Sequence, residues 1–254
     1  MAERRGRPRV TSPGTIGLMK RIGLAPVLFS AAALAAAPAD EFSTSAGTLQ
    51  ITPIQHASLM LKAGGKVLYV DPAMGSYDGL PQADYILITD IHGDHMAPAL
   101  VAKLKKPDTV VLGPKAVAAQ VPGTTVISNG ESRTIGAFQV DAIPMYNLKP
   151  AANGQIYHEK GRGNGYVLTY GGKRFYFSGD TEGIAEMRAL KNIDVAFICM
   201  NLPYTMTPQD AAEAVRAFHP AVAYPYHYRG QDTGIFAKAL EGSGIEVRLR
   251  DWYK

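Results

Sequence analysis

The chain alternates short apolar runs with amphipathic stretches. TLQITPI (48–54), SLMLKA (58–63) and KVLYVD (66–71) read as strands joined by turns such as Gly64-Gly65. DYILIT (84–89) is apolar at most positions, which predicts a strand buried on both faces. Further strands are predicted over TVVLG (109–113), FQVDAIP (138–144), GYVLTY (165–170), KRFYFS (173–178), DVAFICM (194–200) and AVAYPY (221–226). Helical spacing marks MAPALVAKLKK (96–106), with Pro98 tolerated in its first turn, and IAEMRALK (184–191), TPQDAAEAVRAF (207–218) and IFAKALEG (235–242). Thr207 and Asp210 predict a capped start for the helix at 207–218.

An internal echo organises these elements. GGKVLYVDP (64–72) is similar to GGKRFYFSGDT (171–181). Each leads to an apolar strand, DYILIT or DVAFICM, and then to a helix that opens Met-x-Pro at 96–98 or 206–208. Two similar β-rich halves, each with helices on an outer face, predict an α/β fold of four layers, an αββα sandwich.

The beginning of the chain reads differently. Residues 19–39 have a basic start (Lys20, Arg21), an apolar stretch from Ile22 to Ala37 and an Ala-Pro-Ala end, the layout of a secretory signal peptide. The apolar stretch is shorter than the ~20 residues of a membrane span, so no stable anchor is expected after cleavage. Residues 1–39 are therefore read as leader and signal, and residues 40–254 as one domain of an exported protein, periplasmic or extracellular. Net charge is +4, much of it supplied by Arg4, Arg5, Arg7, Arg9, Lys20 and Arg21 in the leader. The rest is near neutral and has no basic stripe, which argues against a nucleic-acid partner. The single cysteine, Cys199, excludes an intramolecular disulfide, and its apolar run marks a buried, inert thiol.

Ligand-capable side chains recur just beyond strand ends. His92, Asp94 and His95 follow DYILIT within TDIHGDH (89–95), Asp180 follows KRFYFS in SGDT, and His227 follows AVAYP in YPYHY. Rigid strands aim loop side chains at a common point there, and imidazole with carboxylate suits zinc, iron or manganese. Alone, Asp180 would be a turn residue and His227 a hydrogen-bonded core histidine; the joint pattern is what points to a metal centre.

TDIHGDH, SGDT and PYHY, in this order, resemble the metallo-β-lactamase superfamily of metal-dependent hydrolases. QHASLML (55–61) and VDPAM (70–74) are similar to its branch containing the ascorbate phosphate lactonase. The resemblance covers residues 48–254 and implies the αββα metallo-β-lactamase fold with a centre for one or two divalent ions, Zn2+ first. It implies Asp90 and His92 plus a mid-chain histidine as one ligand set, Asp94, His95 and His227 as the other, with Asp180 bridging. It also implies Asp94 and Asp180 as the catalytic carboxylates around a metal-activated hydroxide.

Two departures stand out. Asp90 occupies the first position of the motif, where a histidine is expected, which favours Mn2+ or Fe2+ somewhat more at the Asp90/His92 site. The mid-chain segment aligned by order offers Tyr146 and Asn147, with His158 the other histidine nearby. The Asp90 end is thus expected to be weaker, and the Asp94/His95/Asp180/His227 end complete. His56 is either near the centre or a buried hydrogen-bonded histidine. Tyr204, Tyr226 and Tyr228 are candidates to line a pocket. Lys160, Arg162 and Arg229 are candidates for an anionic small-molecule substrate, with a solvated surface role as the alternative. GRGNG (161–165) leads into a strand, so it is not a phosphate loop. The function expected is an exported metal-dependent hydrolase of an ester, lactone, amide or phosphoester. The alternatives are an iron redox enzyme and a non-catalytic metal- or ligand-binding envelope protein.

Overall fold

The computed structural model describes residues 39–253, so the leader and signal reading lies outside the described residues apart from Ala39. The first sheet runs in chain order through β1 (Asp40–Thr44), β2 (Gly47–Gln55), β3 (Ser58–Ala63), β4 (Lys66–Val70), β5 (Ala83–Leu87), β6 (Lys105–Gly113) and β7 (Thr124–Val126). The second repeats the plan with β8 (Ser132–Ile135), β9 (Phe138–Met145), β10 (Gly163–Tyr170), β11 (Lys173–Phe177), β12 (Val195–Cys199), β13 (Val222–Tyr226) and β14 (Glu246–Val247). In each sheet the first four strands pair antiparallel and the last three are added in parallel. The echo between 64–72 and 171–181 is therefore the hairpin that precedes the switch from antiparallel to parallel pairing in each half.

Strand alternation sorts side chains into layers. In β5, Tyr85 and Leu87 join the core between the sheets, whereas Ile86 faces outward under α1 (Pro98–Leu104) and α2 (Lys115–Ala118) with Val101, Leu104 and Val117. Tyr85 meets Phe138 at 5.7 Å and Phe42 meets Phe175 at 5.5 Å, which locks the two sheets face to face. On the far side, Tyr176 packs on Phe218 of α4 (Pro208–Phe218), next to α3 (Ala185–Arg188) and α5 (Thr233–Ala239). All five residues of β5, β12 and β13 are buried, because each has a helix layer on one face and the partner sheet on the other. The αββα expectation holds. Among the described residues no helix is long and apolar enough to cross a membrane.

The differences from the sequence reading lie at edges. The predicted helix over 96–106 stops at Leu104, because Lys105 pairs with Ala83 and Lys106 N–H is claimed by Thr109 Oγ1. The helices expected over 184–191 and 235–242 are single short segments, Ala185–Arg188 and Thr233–Ala239. The helix α4 starts as predicted, with a reciprocal capping box between Thr207 and Asp210.

Candidate metal centre

Both sheets end their parallel strands at one edge, and the ligand-type residues meet there. His92, Asp94 and His95 lie on the loop from β5 to α1, Asp180 on the turn after β11, and His227 directly after β13. Gly179 makes the second of these approaches feasible. It sits at φ 59°, and a Cβ there would stand 2.6 Å from Met145 Sδ and 3.1 Å from Asn164 O.

Three sets of ligand atoms lie within 4.8 Å of one another: His95, Asp180 and His227; His56, Asp94 and His227; and Asp90, His92 and His158. His95 Nε2 stands 3.1 Å from His227 Nε2 and 3.3 Å from Asp180 Oδ2. His227 Nε2 is 3.3 Å from Asp180 Oδ1 and 3.4 Å from Asp94 Oδ2. Donors each ~2.1 Å from a shared ion at a tetrahedral angle stand about 3.4 Å apart, so these separations are those of a common coordination shell.

Tautomers support the same reading. His95 Nδ1 is 2.7 Å from Asp71 Oδ2, a buried carboxylate that also accepts from Thr89 N–H (2.7 Å) and Thr89 O–H (2.6 Å). With its Nδ1 proton committed to Asp71, His95 turns Nε2 towards Asp180 and His227, the nitrogen that would take either a proton or a metal ion. Asp180 Oδ1, His227 Nδ1 and both ring nitrogens of His158 are buried without a hydrogen-bond partner, although His158 Nε2 lies 3.0 Å from Asp180 Oδ2. Lone pairs converging on a buried carboxylate, with polar atoms left unpaired, fit a site for a cation.

The electrostatics demand positive charge there too. Burial pushes the Asp180 carboxyl up, but the imidazoles of His227, His95 and His158 outweigh it and hold it well below the usual carboxylate range. Burial is likewise overridden at Asp94, by His227, His56 and His95. Burial lowers His95, yet the charges of Asp180 and Asp71 raise it well above the usual imidazole value. For His56 burial wins and its pKa falls.

Two of the cluster's histidines are held in the left-handed backbone region, His56 at φ 58° and His227 at φ 49°. Such conformations cost about 1–3 kcal/mol each and persist only when surroundings over-determine them. Here they do: His227 N–H donates to His56 O, and His56 N–H donates to Trp252 O. His56 then links Asp94 (Nε2 to Oδ2, 3.0 Å) to the Tyr253 hydroxyl (Nδ1, 2.6 Å), so it is a member of the cluster and buried as well.

The mid-chain positions divide in an instructive way. His158, not Tyr146 or Asn147, reaches the Asp90/His92 set. Asn147 supports it from behind: its N–H donates to His158 O, its Oδ1 accepts from His158 N–H, and its Nδ2 donates to Tyr204 O. Tyr146 turns away and donates to Glu186, which also pairs with Lys160. Arg162 binds Asp90, and Tyr228 packs on Tyr253 at 4.9 Å. Tyr226 is buried and its hydroxyl accepts from Gly179 N–H, so it supports the Asp180 turn. His219 caps the end of α4, and burial pushes the Cys199 thiol up to about 12, which leaves it inert.

A cavity of about 460 Å³ opens over the cluster, lined by His92, Asp94, His158, Asp180, Tyr157, Tyr204, Asn201 and Arg229 among others. Asp71, Tyr157 and Asn201 were not singled out from the sequence as site residues. For Asp71 a signal existed, a carboxylate at the end of a buried strand; for the other two there was none.

Residues 50–227 match the family described as the Beta-lactamase superfamily domain. A UPF0173 metal-dependent hydrolase of Deinococcus radiodurans is 27% identical over 80% of this chain and 96% of its own length. Another, of Enterococcus faecalis, is 30% identical over 64% of this chain and 77% of its own. A crystal structure of a candidate metal-dependent hydrolase from Parabacteroides distasonis superposes with a TM-score of 0.81 at 42% identity, covering 84% of this chain and 98% of that one. Its fold, its His/Asp cluster and these relatives together place the chain in the β-lactamase superfamily, among the metal-dependent hydrolases.

Proposed function

We propose that the protein hydrolyses an ester, lactone, amide or phosphoester of a small molecule, with zinc held by Asp94, His95, Asp180 and His227. Asp90, His92 and His158 would hold a second divalent ion, zinc, manganese or iron, with Asp180 Oδ2 3.0 Å from His158 Nε2. The observation that carries this reading is the convergence of the His95, His227 and Asp180 donor atoms at 3.1–3.3 Å beneath the cavity. When bound, a divalent ion lowers the pKa of a water to ~7 and polarises the oxygen of the scissile group. The remaining work falls to side chains. Asp94, 24% exposed where Asp180 is 4%, is the carboxylate open to the cavity and the one placed to take a proton from the attacking water. His56 fixes its orientation through Oδ2. The edge-to-face pair Tyr157–Tyr204 (4.8 Å) offers a wall for a flat apolar group, and Arg229 at the rim suits a carboxylate or phosphate on the substrate.

Elemental analysis of the purified chain and turnover of lactone, phosphodiester, ester and amide reporters test this, with Asp94→Ala as control. Bound zinc and a reporter hydrolysed by the wild type but not by Asp94→Ala support it. Metal bound without turnover on any of them would shift the reading to a metal- or ligand-binding protein, and bound iron with redox rather than hydrolytic activity to the iron enzyme. Export is proposed on the signal-like layout of residues 19–39. Amino-terminal sequencing of the protein from the cell envelope should then begin after Ala37 or Ala39.

A further inference from the structure

The two ends of the centre differ in one respect that their donor sets conceal. Asp94 and Asp180 face only imidazoles among the described residues: His56 and His227 for the first, His95, His158 and His227 for the second. Asp90 is clamped by a permanent cation. The Arg162 fork donates from Nε to Oδ1 at 3.2 Å and from Nη2 to Oδ2 at 2.9 Å, with Asp90 fully buried and Arg162 21% exposed. The same Oδ2 lies 2.8 Å from His92 Nδ1 and 3.9 Å from His158 Nε2, so it is the oxygen that an ion in that set would share with the guanidinium.

The clamp is built into the backbone. Arg162 directly precedes β10, whose first residues cross the ligand loop: Asn164 N–H donates to Thr89 O, and a Cβ on Gly163 would stand 2.9 Å from that same oxygen. No larger residue fits at 163 without moving the crossing, which fixes residue 162 beside residue 90. A carboxylate whose charge is already compensated on both oxygens attracts a divalent ion less, and cations that share an oxygen in a buried site repel each other at short range.

We propose that Arg162 holds the Asp90/His92/His158 end at low metal affinity, so that the centre fills in order. The Asp94/His95/Asp180/His227 end loads first, and the Asp90 end takes an ion only at higher free-metal concentration. This rests on the metal-centre reading above and adds to it the residue that sets stoichiometry.

The test is a zinc titration of the ion-stripped full chain against a chromophoric chelator, with zinc per chain counted after gel filtration. The wild type should show one tight and one weak step. Arg162→Gln should strengthen the weak step about tenfold or more and retain two ions through gel filtration. Arg162→Lys keeps the charge and should keep the step weak, while Asp90→Asn should abolish that step and leave the tight one. Two equally tight ions in the wild type would overturn the proposal without any variant. So would a weak step that is unchanged or weaker in a folded Arg162→Gln protein, since Arg162 would then serve only to orient Asp90. Binding of no ion at all would instead overturn the metal-centre reading.

Discussion

The first half of the described chain and the second build the same sheet twice, and they use it differently. The correspondence extends to single hydrogen bonds. Asp84 accepts from Lys66 Nζ and Val67 N–H, each at 3.0 Å; Asp194 accepts from Lys173 Nζ at 3.2 Å and Arg174 N–H at 2.9 Å. At the other end of these hairpins, Asp71 N–H bonds Leu87 O as Ser178 N–H bonds Phe197 O. Asp71 Oδ1 then accepts from Thr89 N–H where Ser178 Oγ accepts from Cys199 N–H. The equivalent position thus carries a carboxylate in one half and a hydroxyl in the other. In the first half that carboxylate reaches on to His95 and sets its tautomer. In the second, the hydroxyl ties β11 to β12 and donates to Gly179 O, touching no ligand side chain, and the chain continues two residues further to place Asp180 in the cluster. A duplicated frame leaves the strand ends free to specialise, one half orienting a ligand loop and the other supplying donors to meet it.

The largest expected effect breaks the meeting point itself. Asp180→Asn keeps the shape but removes the charge that His95, His158 and His227 share, so metal retained after gel filtration should fall at both ends. Turnover of any reporter found should drop by about a thousandfold or more, as expected when several kcal/mol of metal assistance are lost. The next test compares the equivalent positions directly. Asp71→Asn should weaken zinc binding about 10–100-fold through the tautomer of His95. Ser178→Ala should cost about 1 kcal/mol in urea unfolding and leave zinc binding unchanged. Equal effects of the two on zinc would erase the distinction drawn between the halves.

The last test concerns the two clamps. Asp84→Asn and Asp194→Asn should each cost about 1–2 kcal/mol at pH 7. Burial pushes the Asp84 carboxyl up, but Lys106, the Val67 N–H and Lys66 outweigh it and bring it to about 2. A carboxyl depressed in the folded chain contributes stability above its unfolded pKa of ~3.9 and loses it as pH falls through the folded value. The gap between wild type and Asp84→Asn should therefore be full above about pH 4 and close towards pH 2, by urea unfolding at stepped pH.

Much of this frame was legible in the sequence, for physical reasons that differ by element. DYILIT announced a strand covered on both faces and DVAFICM a strand by its unbroken apolar run, and the Thr207–Asp210 cap was readable because it is local. Edge strands such as DEFST at β1, SRTI at β8 and EV at β14 were not, since they owe their form to a neighbour rather than to their own pattern. The helix over 96–106 was overextended because LVAKLKK keeps helical spacing beyond the point where Ala83 captures Lys105. In the centre, His92, Asp94, His95, Asp180 and His227 follow strands, and position alone grouped them. His158 follows a loop, so order along the chain pointed at Tyr146 and Asn147, and only the paired bonds between Asn147 and His158 show which of them faces the cluster. Arg162 read as a candidate for substrate; its carboxylate partner lies 72 residues away, a distance that no spacing rule spans.

Each of the three donor sets draws from both halves: His158, Asp180 and His227 come from the second, and every other member from the first. An ion seated among them is therefore a rivet. Its binding free energy is also cohesion between the sheets, present in the assembled chain and absent from either half by itself. Two fragments separated in the turn between β7 and β8 would each carry the strands of one sheet but only part of a coordination shell. Added zinc would then draw them together, and a chelator would let them part.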